Sequence, residues 1–126
     1  MVRVAGGLVL WLGIVSLAAA QQPVKLSRAE LMKQKLQASE KILEGLALED
    51  YEAILQQSQR ISLLTLEESW NVLQTVDYRR ESEEFRRAVD AVSAAAKQKN
   101  LDGAALAYMQ MTLNCVRCHK YLRSNR

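Results

Sequence analysis

One histidine, one phenylalanine, one proline and two cysteines are all that these 126 residues contain of those types. Each scarcity excludes something. A lone histidine leaves no His/His pair for a metal and no second imidazole to act as general acid or base beside the first. Two cysteines cannot complete a structural zinc site, which needs a further ligand pair. Proline stands only at position 23, and beyond residue 20 glycine stands only at positions 45 and 103. Nothing therefore interrupts long helices through the body of the chain. No run alternates apolar and polar residues as a strand would, and no segment repeats or is of low complexity. The formal charge is +3 with both signs intermixed, which offers no basic face for nucleic acid.

What is present concentrates near the C-terminus. Cys115-Val116-Arg117-Cys118-His119 has the C-x-x-C-H form by which c-type haem is attached. On a helix these three residues stand at i, i+3 and i+4 and so project from one face. Two thiols can then add to the porphyrin vinyl groups while the adjacent imidazole reaches the iron as proximal ligand. A thioredoxin-type dithiol would need a βαβ setting, and no strand-like run supplies it. A small Cys115–Cys118 disulfide in an exported chain stays open as an alternative.

Residues 1–20 read as a signal peptide. Arg3 gives a short positive start, Val4 to Leu17 is apolar, and Ala18-Ala19-Ala20 offers small residues before Gln21. Cleavage after Ala20 is expected, which removes Arg3 and lowers the charge from +3 to +2. Uncleaved, the run approaches spanning length and would be the chain's one attachment to a membrane. No cysteine follows it to carry a lipid. Export agrees with the haem motif, because bacterial c-type haem is attached outside the cytoplasmic membrane. The expected location is the periplasm.

Residues 21–126 form one small domain, in which a covalent cofactor would add apolar filling to a short chain's core. Ser27-Arg28-Ala29-Glu30 has the form of a capping box behind Leu26. It opens a first helix whose apolar stripe is read as Met32, Leu36, Ile42, Leu43 and Leu46, ending around Gly45. A second helix follows Glu49-Asp50 with Tyr51, Ile54, Leu55, Ser58 and Ile61 on one side, and stops at residues 63–65. Thr65-Leu66-Glu67-Glu68 repeats the capping-box pattern, which predicts a short connecting helix from Glu67 to Leu73 bearing Trp70. A third helix is predicted from Tyr78 to Lys99, with Phe85, Ala88, Val89, Val92 and Ala96 inward. Asp102 is expected to cap a fourth, which carries Leu106, Tyr108, Met109, Met111, Leu113 and the haem motif. Four helices with short connections predict an all-α, antiparallel up-down-up-down four-helix bundle with its haem site at the C-terminal end.

Only about seven residues follow His119, so a ligand for the other side of the iron must come from earlier in the chain. Met109 and Met111 share the helix of His119 and are expected to pack around the haem edge. Met32, on the apolar side of the first helix, is either core or iron ligand. Arg28 and Lys35 on that helix either pair with a haem propionate or are solvated helix-face charges.

Across essentially the whole mature chain, the four helices, Trp70 in the central connection and C-x-x-C-H on the last helix resemble the class II cytochromes c. These are the cytochrome c′ group and its low-spin Met/His-ligated relatives. In that family the first helix carries an arginine followed four residues later by the distal-face residue, and Arg28-Ala29-Glu30-Leu31-Met32 has that spacing. Methionine in that place binds the iron in the family, whereas leucine leaves it five-coordinate and high-spin. The resemblance thus implies His119 and Met32 as axial ligands. It implies a place near the proximal face for Arg123, four residues past His119, although Leu122 stands where the family commonly has an aromatic residue. It also brings in a homodimer through the first two helices.

Taken together, these features lead us to expect an exported electron carrier with one covalent haem c, held by Cys115 and Cys118, that exchanges electrons with redox partner proteins. It is not expected to be an enzyme. The alternative is a five-coordinate protein that binds nitric oxide or carbon monoxide. Peroxidase chemistry lacks a second histidine to draw on, and nothing singles out Glu30 in its stead.

Overall fold

A computed structural model describes residues 25–125 of the chain; the expected signal peptide, Pro23 and Arg126 lie outside the described residues. Four α-helices follow one another: α1 (Arg28–Leu48), α2 (Tyr51–Leu64), α3 (Val76–Lys97) and α4 (Leu101–Ser124), with a 3-10 turn at Glu68–Trp70. Among the described residues there is no strand, and the arrangement is compatible with a four-helix bundle. No described helix is long and apolar enough to cross a membrane.

Each helix starts on a side chain that satisfies a free backbone N–H. Ser27 Oγ accepts from Glu30 N at 3.2 Å, as the capping-box pattern predicts. Asp50 caps α2 through Ala53 N at 3.0 Å, and Thr75 caps α3 through Tyr78 N at 3.2 Å. The cap of α4 is Asn100, whose Oδ1 accepts from Gly103 N at 2.9 Å. Asp102, expected in that role, sits instead in the first turn, where its charge suits the positive end of the helix dipole. Gly103 makes the Asn100 cap feasible, since a Cβ there would lie 2.5 Å from Asn100 Nδ2.

The second predicted capping box does not form. Thr65 closes α2 rather than opening a new helix, and its Oγ1 donates back to Ser62 O at 2.7 Å. The expected connecting helix shrinks accordingly to the 3-10 turn, and α3 begins two residues earlier than predicted, behind its Thr75 cap. α1 likewise runs past Gly45 to Leu48. It stops where Glu49 turns left-handed at φ 56°, and Asp50 N closes on Gly45 O at 2.8 Å.

The inward face of α1 differs from the predicted stripe. Leu31, Lys35, Ala38, Ile42 and Gly45 are buried, while Leu36 and Leu43 are 61% and 54% exposed. The buried set repeats every three or four residues but includes a charge and two small residues, so hydrophobicity alone misplaced the face by about one position. Small residues are needed there. A Cβ on Gly45 would come within 2.9 Å of Ile54 Cγ1, so α1 and α2 pack closely at this point. On α2 and α3 the expected inward residues Ile54, Ser58, Ile61, Phe85, Ala88, Val89, Val92 and Ala96 are buried. All of these but the polar Ser58 form the core with Leu31, Ile42, Trp70 and Met111, each large side chain contributing roughly 1.5–3 kcal/mol.

Candidate functional site

α1 and α4 touch each other only sparingly compared with the sequential pairs α1–α2, α2–α3 and α3–α4, and two cavities lie between them. The larger, about 480 Å³, is bounded by Arg28, Met32 and Lys35 of α1 and by Trp70 and Leu73 of the connection. Tyr78 of α3 and Cys118, His119 and Arg123 of α4 complete its wall. The smaller, about 270 Å³, is lined by Met32, Lys35, Ile61, Phe85, Met111, Cys115 and His119. Met32, Lys35 and His119 border both, so they stand where the two spaces meet. Arg28, Met32, Cys115, Cys118, His119 and Arg123, the six residues singled out in the sequence, all line one cavity or both.

Helical spacing puts Cys115, Cys118 and His119 on one side of α4, and Asn114 sets which way that side turns. Asn114 is 1% exposed. Its Nδ2 donates to Glu84 O of α3 at 2.9 Å, and its Oδ1 accepts from Gln110 Nε2 at 2.9 Å and also from Arg117. Arg117 in turn pairs with Glu84 and, at 3.5 Å, with Glu81. This network pins α4 to α3 beside the first cysteine. Both cysteines are free.

The walls are apolar and aromatic. Trp70 Nε1 donates to Ser82 Oγ at 3.1 Å, and Tyr78 Oη donates to Trp70 O. The Trp70 and Phe85 ring centroids lie 5.4 Å apart. Trp70 is thus both a packing anchor and a wall of the larger cavity. Met111 is buried and lines the smaller one, whereas Met109, expected to pack similarly, is exposed.

Lys35 is the least expected member. As a solvated helix-face charge it would be exposed, yet it is 8% exposed. Its Nζ lies 3.8 Å from the Phe85 ring centroid and 4.6 Å from that of Trp70. The correction has a physical cause: the butyl stem packs as apolar surface, and two ring faces attract the ammonium. Burial pushes its pKa down, against the pull of Cys115 and Cys118. Burial likewise pushes the Cys118 thiol up, which Lys35 opposes. His119 borders both cavities while remaining open to solvent on its outer side. Its pKa is lowered, first by partial burial and then by the positive charges of Lys35 and Arg123. The imidazole is therefore biased toward its neutral form, which has a free lone pair.

A polar depression of about 450 Å³ adjoins the larger cavity, and Arg28 and Ser69 line both. Ser69 Oγ is buried there without a hydrogen-bond partner among the described residues. A guanidinium and an unsatisfied hydroxyl that line one space suit a carboxylate-bearing guest. Together the donor set fits a haem: two free thiols, a neutral-biased imidazole, apolar and aromatic walls, and cations with an unpaired hydroxyl at one edge. The larger cavity, at about 480 Å³, lies in the usual range for bound cofactors.

The sequence did not point to Asn114, Ser69 or Phe85 as parts of this site. Asn114 had a readable signal: a polar residue three positions past Met111 and four before Cys118, on the inward side of α4. No model of a known protein family matches this chain, and no curated protein or solved structure matches it either.

Proposed function

We propose that this chain is an exported, periplasmic c-type cytochrome that carries one haem and transfers electrons between redox partner proteins. In this reading residues 1–20 are its cleaved signal peptide, and the four helices run up-down-up-down in antiparallel order. The observation that carries the proposal is the convergence of Cys115, Cys118 and His119 on cavities with apolar and aromatic walls and with Arg28, Lys35 and Arg123 at their borders. When bound, the haem would supply a one-electron couple at its iron.

The chain's own residues do the rest. Cys115 and Cys118 would hold the haem through their thiols, each adding to one vinyl group with sulfur to one carbon and the proton to the other, so attachment would need no oxidant. His119 would hold the iron through its imidazole lone pair. Trp70, Phe85, Ile61 and Met111 exclude water, and Arg28 with Ser69 faces the propionates. Arg123 lies beside His119 and favours the neutral imidazole. Met32, bordering both cavities, is the sulfur donor that the resemblance suggests for the other side of the iron. A homodimer is compatible with this reading.

The test is expression of the full chain with a cytochrome c maturation system. A coloured protein whose haem stays with the polypeptide on a denaturing gel is expected. Cys115→Ala and Cys118→Ala should each lose one thioether, and the double variant both. A colourless protein, lighter by two hydrogens through a Cys115–Cys118 disulfide, would refute the proposal. A high-spin ferrous form that takes up carbon monoxide rapidly would replace electron transfer with gas binding.

A further inference from the structure

We propose that the nitrogen of Lys35, rather than the sulfur of Met32, is the sixth ligand to the iron; this rests on the haem reading above. Lys35 borders both cavities together with His119, so its side chain stands in the space that the cofactor must share. The amine points inward, toward Trp70 and Phe85. No described carboxylate pairs with it.

The two candidate donors differ in what happens if they stay uncoordinated. An unbound Met32 thioether is an ordinary apolar side chain, at ease in a core. An unbound Lys35 amine would be a buried polar group with only the Trp70 and Phe85 ring faces to offset its charge. A Lewis acid opposite His119 supplies the partner that the protein does not. Reach also favours it: the lysine nitrogen lies five bonds from its Cα, against three for the methionine sulfur. Coordination releases one proton from the ammonium to solvent, forms the iron–nitrogen bond from the freed lone pair, and leaves the iron oxidation state unchanged.

The experiment uses the haem-loaded full chain, with near-infrared absorption and low-temperature electron paramagnetic resonance of the ferric form. Intact mass establishes one covalent haem in every sample, and circular dichroism establishes folding. The wild type should be low-spin without a far-red sulfur-to-iron band, and Met32→Leu should leave both spectra unchanged. Lys35→Leu should become high-spin, or gain the far-red band as Met32 takes the vacated position. Lys35→Arg keeps the charge, but a guanidinium has no lone pair to give, so it should behave like Lys35→Leu. A far-red band in the wild type that is lost in Met32→Leu overturns the proposal. So does a wild-type spectrum retained in Lys35→Arg, which would make Lys35 a partner of the propionates, or a high-spin wild type. Absence of covalent haem in the mass spectrum is a different result: it defeats the cytochrome reading itself, and this inference with it.

Discussion

Asn114→Ala should loosen the helix that carries the haem motif. The side chain is fully buried, donates to Glu84 O at 2.9 Å and accepts from Gln110 at 2.9 Å. Two such bonds contribute about 1 kcal/mol each. The bond from Arg117 adds little, because that guanidinium is about half exposed and screened. Truncating a buried amide also leaves a small void, worth about 1 kcal/mol. The expected loss is thus about 2–3 kcal/mol, or on the order of 10–20 °C in Tm for a domain of this size. Urea and thermal unfolding of the haem-free chain, followed by circular dichroism, read this directly. Asn114→Asp keeps the shape and the acceptor but loses the donor and sets a carboxylate against Glu84 O, so it should be at least as damaging. In both variants a smaller fraction of the chain should acquire haem during maturation, because the cysteines no longer face one way. A change below about 0.5 kcal/mol in Asn114→Ala would mean that apolar packing alone sets the rotation of α4, and the argument from Asn114 would fail.

Gly45→Ala gains about 1 kcal/mol of helix propensity, but its Cβ would meet Ile54 Cγ1 at 2.9 Å and Asp50 O at 3.2 Å. Overpacking of about 1–3 kcal/mol should make the net effect a loss in urea melts, and a net gain would disprove the close helix approach. Trp70→Phe removes the bond to Ser82 Oγ and should cost about 1–2 kcal/mol in the same assay. Lys35→Leu should instead stabilise the haem-free chain by about 1–3 kcal/mol, because it removes a buried ammonium that has only partial compensation; destabilisation would show that the two ring faces fully offset its burial. Burial holds the Tyr78 hydroxyl above its ordinary pKa, so above about pH 10 the folded chain keeps a proton that the unfolded chain loses. Stability should therefore fall as pH rises through that value, and Tyr78→Phe should flatten that part of the curve.

Helix identity was legible because punctuation was so sparse: with one proline, and with Gly45 and Gly103 the only glycines past residue 20, little could break a helix, and α1 runs on through Gly45 to Leu48 while Gly103 lies in the first turn of α4. The faces of α2 and α3 were legible because large apolar residues fill them. Boundaries failed where two capping residues competed. Asn100 beat Asp102 because the glycine at 103 leaves room for its amide. Thr65 was diverted by a carbonyl one turn behind it, at Ser62. Within the site, Cys115, Cys118 and His119 were legible from their spacing, but Ser69 was not. Its hydroxyl matters only because the fold buries it without a partner among the described residues, where Arg28 lines the same depression.

The misplaced face of α1 and the unexpected burial of Lys35 are one event. Gly45 is the small residue that lets α1 settle onto α2, meeting Ile54, and Ala38 is buried on the same side of the helix. A helix seated on that side turns its other inward positions, Leu31 and Lys35, toward the core. Leu36 and Leu43, about a hundred degrees around, are left outside. Hydrophobicity favoured the leucines, but the close approach to α2 could be satisfied only by the small residues, and contact between helices decided the rotation. Once that rotation is set, position 35 faces the space beside His119 whatever residue it holds. The lysine stem there borders both cavities. The same seating that fixes the fold at Gly45 therefore fixes which α1 side chains can reach a guest bound to Cys115, Cys118 and His119.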